Sequence, residues 1–177
     1  NYIPYVKGKK PQVVGNELIT ALKSNHQQVR NIAEIIQRIN PDIILLNEFD
    51  RTSDDHKALQ IFLKEYLATP QQDQKPVNYP YFYQGAVNTG VNSGLDINQN
   101  GIKGNLPEDG YGFGFYAGHF GMALLSKYPI DTNAIRTFQH FKWSDMPGAL
   151  QPINPDSMQP FYDENTWRKL KLSSKSH

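Results

Sequence analysis

The 177-residue sequence contains no cysteine. Disulfides, thiolate metal centres and cysteine nucleophiles are therefore excluded. Long apolar runs are missing as well. The longest strongly apolar run, Ile43-Ile44-Leu45-Leu46, is strand-sized and far short of the roughly 18 residues of a membrane span. An excess of one charge is also absent: 18 basic residues against 17 acidic ones leave a net charge of +1. This balance excludes a polybasic nucleic-acid arm and an acidic disordered tail. It does not exclude chemistry on phosphates, because a bound metal can supply the positive charge. His-Glu-x-x-His, Gly-x-Ser-x-Gly and P-loop motifs are all missing, which argues against a zincin, a serine hydrolase of that type and a P-loop NTPase.

What is present reads as one α/β domain, residues 1–177, taken as part of a larger one. Residues 1–23 carry little signal. Lys7-Gly8-Lys9-Lys10-Pro11 reads as a solvated basic turn. The clearest element is a helix over 25–39, with Ser24 as N-cap and Gln27 three residues on, as in a capping box. Val29, Ile32, Ala33, Ile36 and Ile39 form its apolar stripe. Asn40-Pro41 stops it, because the residue before proline avoids the α region. Ile43–Leu46 then predicts a strand buried on both faces.

A second helix is predicted over 55–67, with Leu59, Phe62, Leu63 and Tyr66 on one face and Thr52, Ser53 or Asp54 as cap. Tyr79–Tyr83 and Gly121–Ser126 read as strands, with Thr132–Phe138 as an antiparallel partner of the latter. Leu170 and Leu172 alternate with Lys169 and Lys171, the pattern of a strand with one wet face. Between these lies 85–121, which holds 10 of the 13 glycines. A loop of that length is either functional or disordered. Its aromatic residues Tyr111, Phe113, Phe115, Tyr116 and Phe120 argue for order.

Three groups can carry chemistry. Glu48 follows a buried strand directly, so its carboxylate sits on a rigid element, as a metal site needs. Mg²⁺ and Mn²⁺ take one or two carboxylates, with water and phosphate oxygens completing the shell. Asn47 and Asp50 would support such a ligand by hydrogen bonds from behind. From position alone, a surface or helix-capping acid is the plainer reading of Glu48. Asp96-Ile97-Asn98-Gln99-Asn100-Gly101 matches the first half of a calcium loop, with Asp96, Asn98 and Asn100 as oxygen donors. Its second half departs from an EF-hand, since position twelve is Pro107 and Glu108 falls one residue late. A plain Asx-turn without an ion fits the same residues. Among the histidines, His26, His56 and His140 read as solvated, and His119, just before a strand, can face a cleft.

Two segments together resemble the endonuclease/exonuclease/phosphatase superfamily. Val29 to Asp50 is similar to its motif of helix, Pro-Asp, hydrophobic strand and Glu. Gly121-Met122-Ala123-Leu124-Leu125-Ser126-Lys127-Tyr128-Pro129-Ile130 is similar to its Gly-x-x-x-Leu-Ser-x-x-Pro-Ile strand. The Asp96–Gly101 loop and the Trp167–His177 end resemble a bacterial branch of it. The resemblance implies a four-layer α/β sandwich with two mixed sheets, and metal-dependent hydrolysis of phosphoesters. It maps the metal-binding Glu onto Glu48 with Mg²⁺ (or Mn²⁺), and reverses the weighting given to that residue by position. His119 and Tyr116 become candidate substrate contacts.

The superfamily's first-strand Asn would precede Asn1, and its His, Asp-x-Asn and Asp-His groups would follow His177. The resemblance thus implies a fragment, inactive or nearly so by itself. Half a sandwich would expose an apolar sheet face, which predicts self-association or association with the missing C-terminal half. The cysteine-free composition and a start without Met suit an exported, periplasmic or secreted, bacterial protein. A rival reading is a non-catalytic calcium-binding recognition module, with Asp96–Gly101 holding the ion and the aromatic loop gripping a partner.

Overall fold

In the computed structural model, which describes residues 13, 15–52 and 55–176, the first element is a helix that the sequence did not reveal. Glu17–Lys23 form α1. Its first-turn acid Glu17 accepts the Gly15 N–H at 2.9 Å, and a negative charge there suits the helix dipole. The basic turn at 7–11 and His177 lie outside the described residues, as do the candidate caps Ser53 and Asp54.

The predicted helix over 25–39 is observed as α2, Gln27–Ile39. Its N-cap is His26, whose Nδ1 accepts from the Gln28 N–H at 3.3 Å, and not Ser24. Asn25 takes a left-handed φ of 54° just before it. The helix stops at Asn40, also left-handed, whose N–H donates to the Ile36 carbonyl at 2.8 Å. The buried face is Ala33, Ile36 and Gln37. Ile32 and Ile39, assigned to the apolar stripe, are exposed. A polar side chain takes their place because its needs are met. The Gln37 amide donates to the carbonyls of Leu67 at 2.9 Å and Thr69 at 2.7 Å, and accepts from the Gln71 N–H at 2.9 Å.

Ile43–Asn47 form β1, Lys57–Ile61 form α3, Tyr81–Tyr83 form β2 and Met122–Ser126 form β3. The helix predicted over 55–67 is therefore shorter as an α-helix. Its second half, Phe62–Leu67, is π-helical, closing with the Ala68 N–H on the Leu63 carbonyl at 2.9 Å. Leu59, Phe62, Tyr66 and Leu67 are all buried. The Tyr66 hydroxyl donates to the Leu22 carbonyl of α1.

The three strands form one sheet in the order β1-β3-β2. Both pairings are antiparallel, with Ile44 and Phe82 flanking Leu125. Alternation then decides the faces. Ala123 and Leu125 are fully buried, and Ile44, Leu46 and Phe82 pack beside them on the helices. Ile43 and Leu45 point the other way and are 58% and 52% exposed. The prediction that β1 is buried on both faces is thus corrected: β1 is an edge strand with one wet face. Thr132–Phe138 is not a strand either, because Thr132–Ala134 form a 3-10 turn with the Asp131 side chain capping the Asn133 N–H at 3.1 Å.

The chain divides into two compact units. The elements above, through Gly85 and again over Gly118–Ile135, make the first. The second comprises Ala86–Ala117 and the chain from Arg136 onward. It is built of loops, ordered by polar side chains bonded to backbone. The buried Asn88 amide donates to the carbonyls of Gln139 at 2.7 Å and Ser173 at 2.8 Å. Gly90 takes a φ of 73°, and a Cβ there would lie 1.8 Å from the Tyr116 carbonyl oxygen, so only glycine fits. A short helix, α4 (Glu164–Trp167), is capped by Asp163, which accepts from Thr166 N–H at 2.9 Å. The predicted strand at Leu170–Leu172 is reduced to an isolated bridge between Lys142 and Lys171. With a single bridging partner, no ladder can propagate.

Candidate functional site

In the first unit, β1 delivers Asn47 and Glu48 to the wall of a cleft of about 250 Å³. Apart from Gln28, its other walls are apolar, among them Leu18 and Leu22 from α1, Val29 and Ile32 from α2, and Phe49 and Phe62. Glu48 itself is solvent-accessible. Its backbone is left-handed, with φ 58°, a region few non-glycine residues adopt. The β1–β3 register ends with Asn47 opposite Met122, yet the Phe49 N–H donates to the Gly121 carbonyl at 3.0 Å. Glu48 is therefore one residue extra on its strand, a bulge that turns its side chain away from the pleat.

Behind this bulge lies a buried polar group. Asp50 and His119 are each 1% exposed. Asp50 Oδ1 accepts the Phe120 N–H at 2.8 Å. The Gln84 amide donates to the Asp50 carbonyl at 3.4 Å, and its oxygen lies 3.1 Å from His56 Nδ1. The His119 ring stacks on Phe120 with centroids 3.7 Å apart. Burial holds its imidazole below the usual histidine range, against the opposing pull of the Asp50, Glu17 and Glu48 carboxylates.

In the second unit, the Asp96 loop folds as the oxygen pattern requires. Asp96 Oδ1 accepts the Asn100 N–H at 3.0 Å and Oδ2 the Gly101 N–H at 2.8 Å. Asn98 Oδ1 accepts from Asn100 N–H at 3.2 Å, and Asn100 Oδ1 from Ile102 N–H at 2.8 Å. These bonds satisfy an Asx-turn without an ion. The loop is tied down by Asp109, which was not singled out in the sequence. Its fully buried carboxylate accepts the N–H groups of Ile97 at 2.7 Å and Asn105 at 2.9 Å. Burial pushes its pKa up, but the backbone N–H bonds outweigh this and hold it below the ordinary aspartate range.

Residues 16–172 match the Endonuclease/Exonuclease/phosphatase family. The chain belongs to that family. No curated protein and no solved structure gives a significant match. Membership brings an α/β fold of the deoxyribonuclease-like kind, consistent with the helices and sheet above, and the chemistry of phosphoesterase-type hydrolases. Family members are typically dependent on divalent metals.

The predicted site residues fall in two places. Asn47, Glu48, Asp50 and His119 belong to the first unit, at one end of the β1–β3 pair. Asp96, Asn98, Asn100 and Tyr116 belong to the second. Among the described residues, no three His, Asp or Glu side chains converge as a metal cluster, and no helix is long and apolar enough to cross a membrane. Glu48 offers one accessible carboxylate beside the Asn47 amide. That donor set fits a hard cation that keeps most of its water. The sequence missed Glu17, which is buried and acts electrostatically on His119, because α1 is too short for a readable period. It also missed Gly118, whose φ of 92° leaves no trace in a sequence beyond the glycine itself.

Proposed function

We propose that this family member is a metal-dependent hydrolase of phosphoester bonds, and that Glu48 is its cation ligand. One observation carries the reading. A glutamate held in a left-handed bulge at the end of a strand opens on a cleft, with a buried carboxylate and imidazole behind it. When bound, Mg²⁺ or Mn²⁺ would offset charge on a phosphoryl oxygen. Glu48 holds its carboxylate toward that position, and Asn47 adds a neutral donor and acceptor at the same rim. His119, being interior, acts through the backbone around Glu48 and not by direct contact with substrate. The groups that activate water are proposed to lie outside these 177 residues, within a complete four-layer sandwich. The isolated chain then turns over slowly at best.

The test is turnover of a phosphodiester and a phosphomonoester reporter by the protein encoded by the whole gene. The reading predicts hydrolysis in Mg²⁺ or Mn²⁺, loss with chelator and loss in Glu48→Gln. Full activity of Glu48→Gln would overturn it. The rival, a calcium-binding recognition module, draws on the oxygen pattern of Asp96, Asn98 and Asn100. It predicts Ca²⁺ binding that disappears in Asp96→Ala and persists in Glu48→Ala.

A further inference from the structure

Glu48 occupies a backbone conformation that its own side chain disfavours. In the left-handed region the Cβ crowds the following carbonyl, and glycine or asparagine is preferred. What holds it is the neighbouring segment, Gly118 to Gly121. Phe49 N–H donates to the Gly121 carbonyl at 3.0 Å, and Arg51 N–H to the Gly118 carbonyl at 2.9 Å. Between these two bonds, Phe120 N–H returns a bond to Asp50 Oδ1 at 2.8 Å. Phe120 is itself left-handed, with φ 54°.

The two chains approach so closely that both outer positions must be glycine. A Cβ at 121 would lie 2.8 Å from the Phe49 carbonyl oxygen, and one at 118 would lie 2.2 Å from that of Arg51. Two irregular turns are thus locked into each other directly after Glu48, while the Asn47–Met122 ladder pair fixes the chain before it. Strain of this kind persists only where the surroundings over-determine it, and it gathers at functional sites. A bulge at such a place re-aims one side chain.

We infer that Asp50 and the Gly118–Gly121 segment are positioning residues, which fix the direction of the Glu48 carboxylate toward its cation. The inference rests on the reading of Glu48 as the ligand. Asp50 touches no cation. It acts by holding Phe120, and through it the carbonyls of Gly118 and Gly121, against the Glu48 turn.

The test is Mn²⁺ titration of the full 177-residue chain, followed by paramagnetic broadening of amide NMR signals around residue 48. In the native chain, signals at 47–50 broaden first, and Glu48→Gln abolishes the effect. Asp50→Ala should weaken apparent affinity about tenfold, the size usual for groups that orient a metal ligand. Asp50→Asn keeps an acceptor for the Phe120 N–H and should restore affinity to within about threefold. Native affinity in Asp50→Ala, or Asp50→Asn as weak as Asp50→Ala, overturns the positioning role while leaving Glu48 as ligand. Undiminished broadening in Glu48→Gln overturns the ligand assignment, and this inference with it. Glu48→Gly supplies an independent readout that does not depend on Asp50 variants folding. It should raise the melting temperature while abolishing broadening, and an unchanged or lower melting temperature would contradict the strained turn.

Discussion

Gln37 donates its side-chain amide to the Leu67 carbonyl at 2.9 Å, tying α2 to the end of the π-helical turn that follows α3. The same amide reaches Thr69, and its oxygen takes the Gln71 N–H. One buried side chain thus satisfies backbone groups that a π-helical ending leaves without intrahelical partners. Gln37→Leu keeps much of the volume; the Leu67 and Thr69 carbonyls retain the Val77 N–H and the Gln71 amide, but the buried Gln71 N–H loses its acceptor, and stability should fall by about 1–2 kcal/mol. Chemical denaturation measures this. A loss below experimental error would show that water takes over the role.

Leu125 lies at the centre of the sheet with no exposed surface, flanked by Ile44 and Phe82. Leu125→Ala should cost about 3 kcal/mol. Leu45→Ala, on the wet face of β1, should cost under about 1 kcal/mol. Comparable losses for the two would contradict the observed facing of the sheet.

His119 supplies a pH dependence. Its folded-state pKa lies below the unfolded value of about 6.5 because burial opposes the charged form. Between those two values the unfolded chain binds more protons than the folded one. Stability therefore rises with pH through this window and falls as pH drops below about 6.5. Thermal melts from pH 8 to pH 5 should show the decline, and His119→Gln should flatten it. An identical slope in the variant would contradict the assignment.

Asp109 should govern order in the second unit. Asp109→Ala removes the acceptor for Ile97 and Asn105 N–H groups and should expose residues 95–109 to limited proteolysis. Its depressed pKa means that the stability it contributes is present above about pH 4 and is lost as pH falls through the folded value. Protection that survives Asp109→Ala would show that other contacts hold the loop.

The sequence carried the first unit better than the second, for a physical reason. The stripe in α2 and the apolar runs of β1 and β3 are local periodic patterns, and they fold where the pattern places them. Which face is buried is not local. Ile32 and Ile39 are exposed and Gln37 is inside because packing against the π-helical turn, not hydropathy, sets the rotation of α2. The π-helical turn itself has no period to read. In the second unit, order comes from Asn88 and Asp109 reaching backbone groups distant in sequence, which no spacing rule exposes. At the candidate site Glu48 was legible as an acid at a strand's end. Its left-handed bulge was not, since glutamate gives no sign of positive φ. The clamp by Gly118 and Gly121 was equally hidden, because each glycine reads alone as loop punctuation.

The central claim is that Glu48 grips a divalent cation. Electron paramagnetic resonance of free Mn²⁺ tests it most directly, because bound ion drops out of the sharp aqueous signal. The account predicts that the native chain and Asp96→Ala deplete that signal equally, and that Glu48→Gln leaves it at the buffer level. Equal depletion by Glu48→Gln, with the loss falling instead on Asp96→Ala, would contradict it.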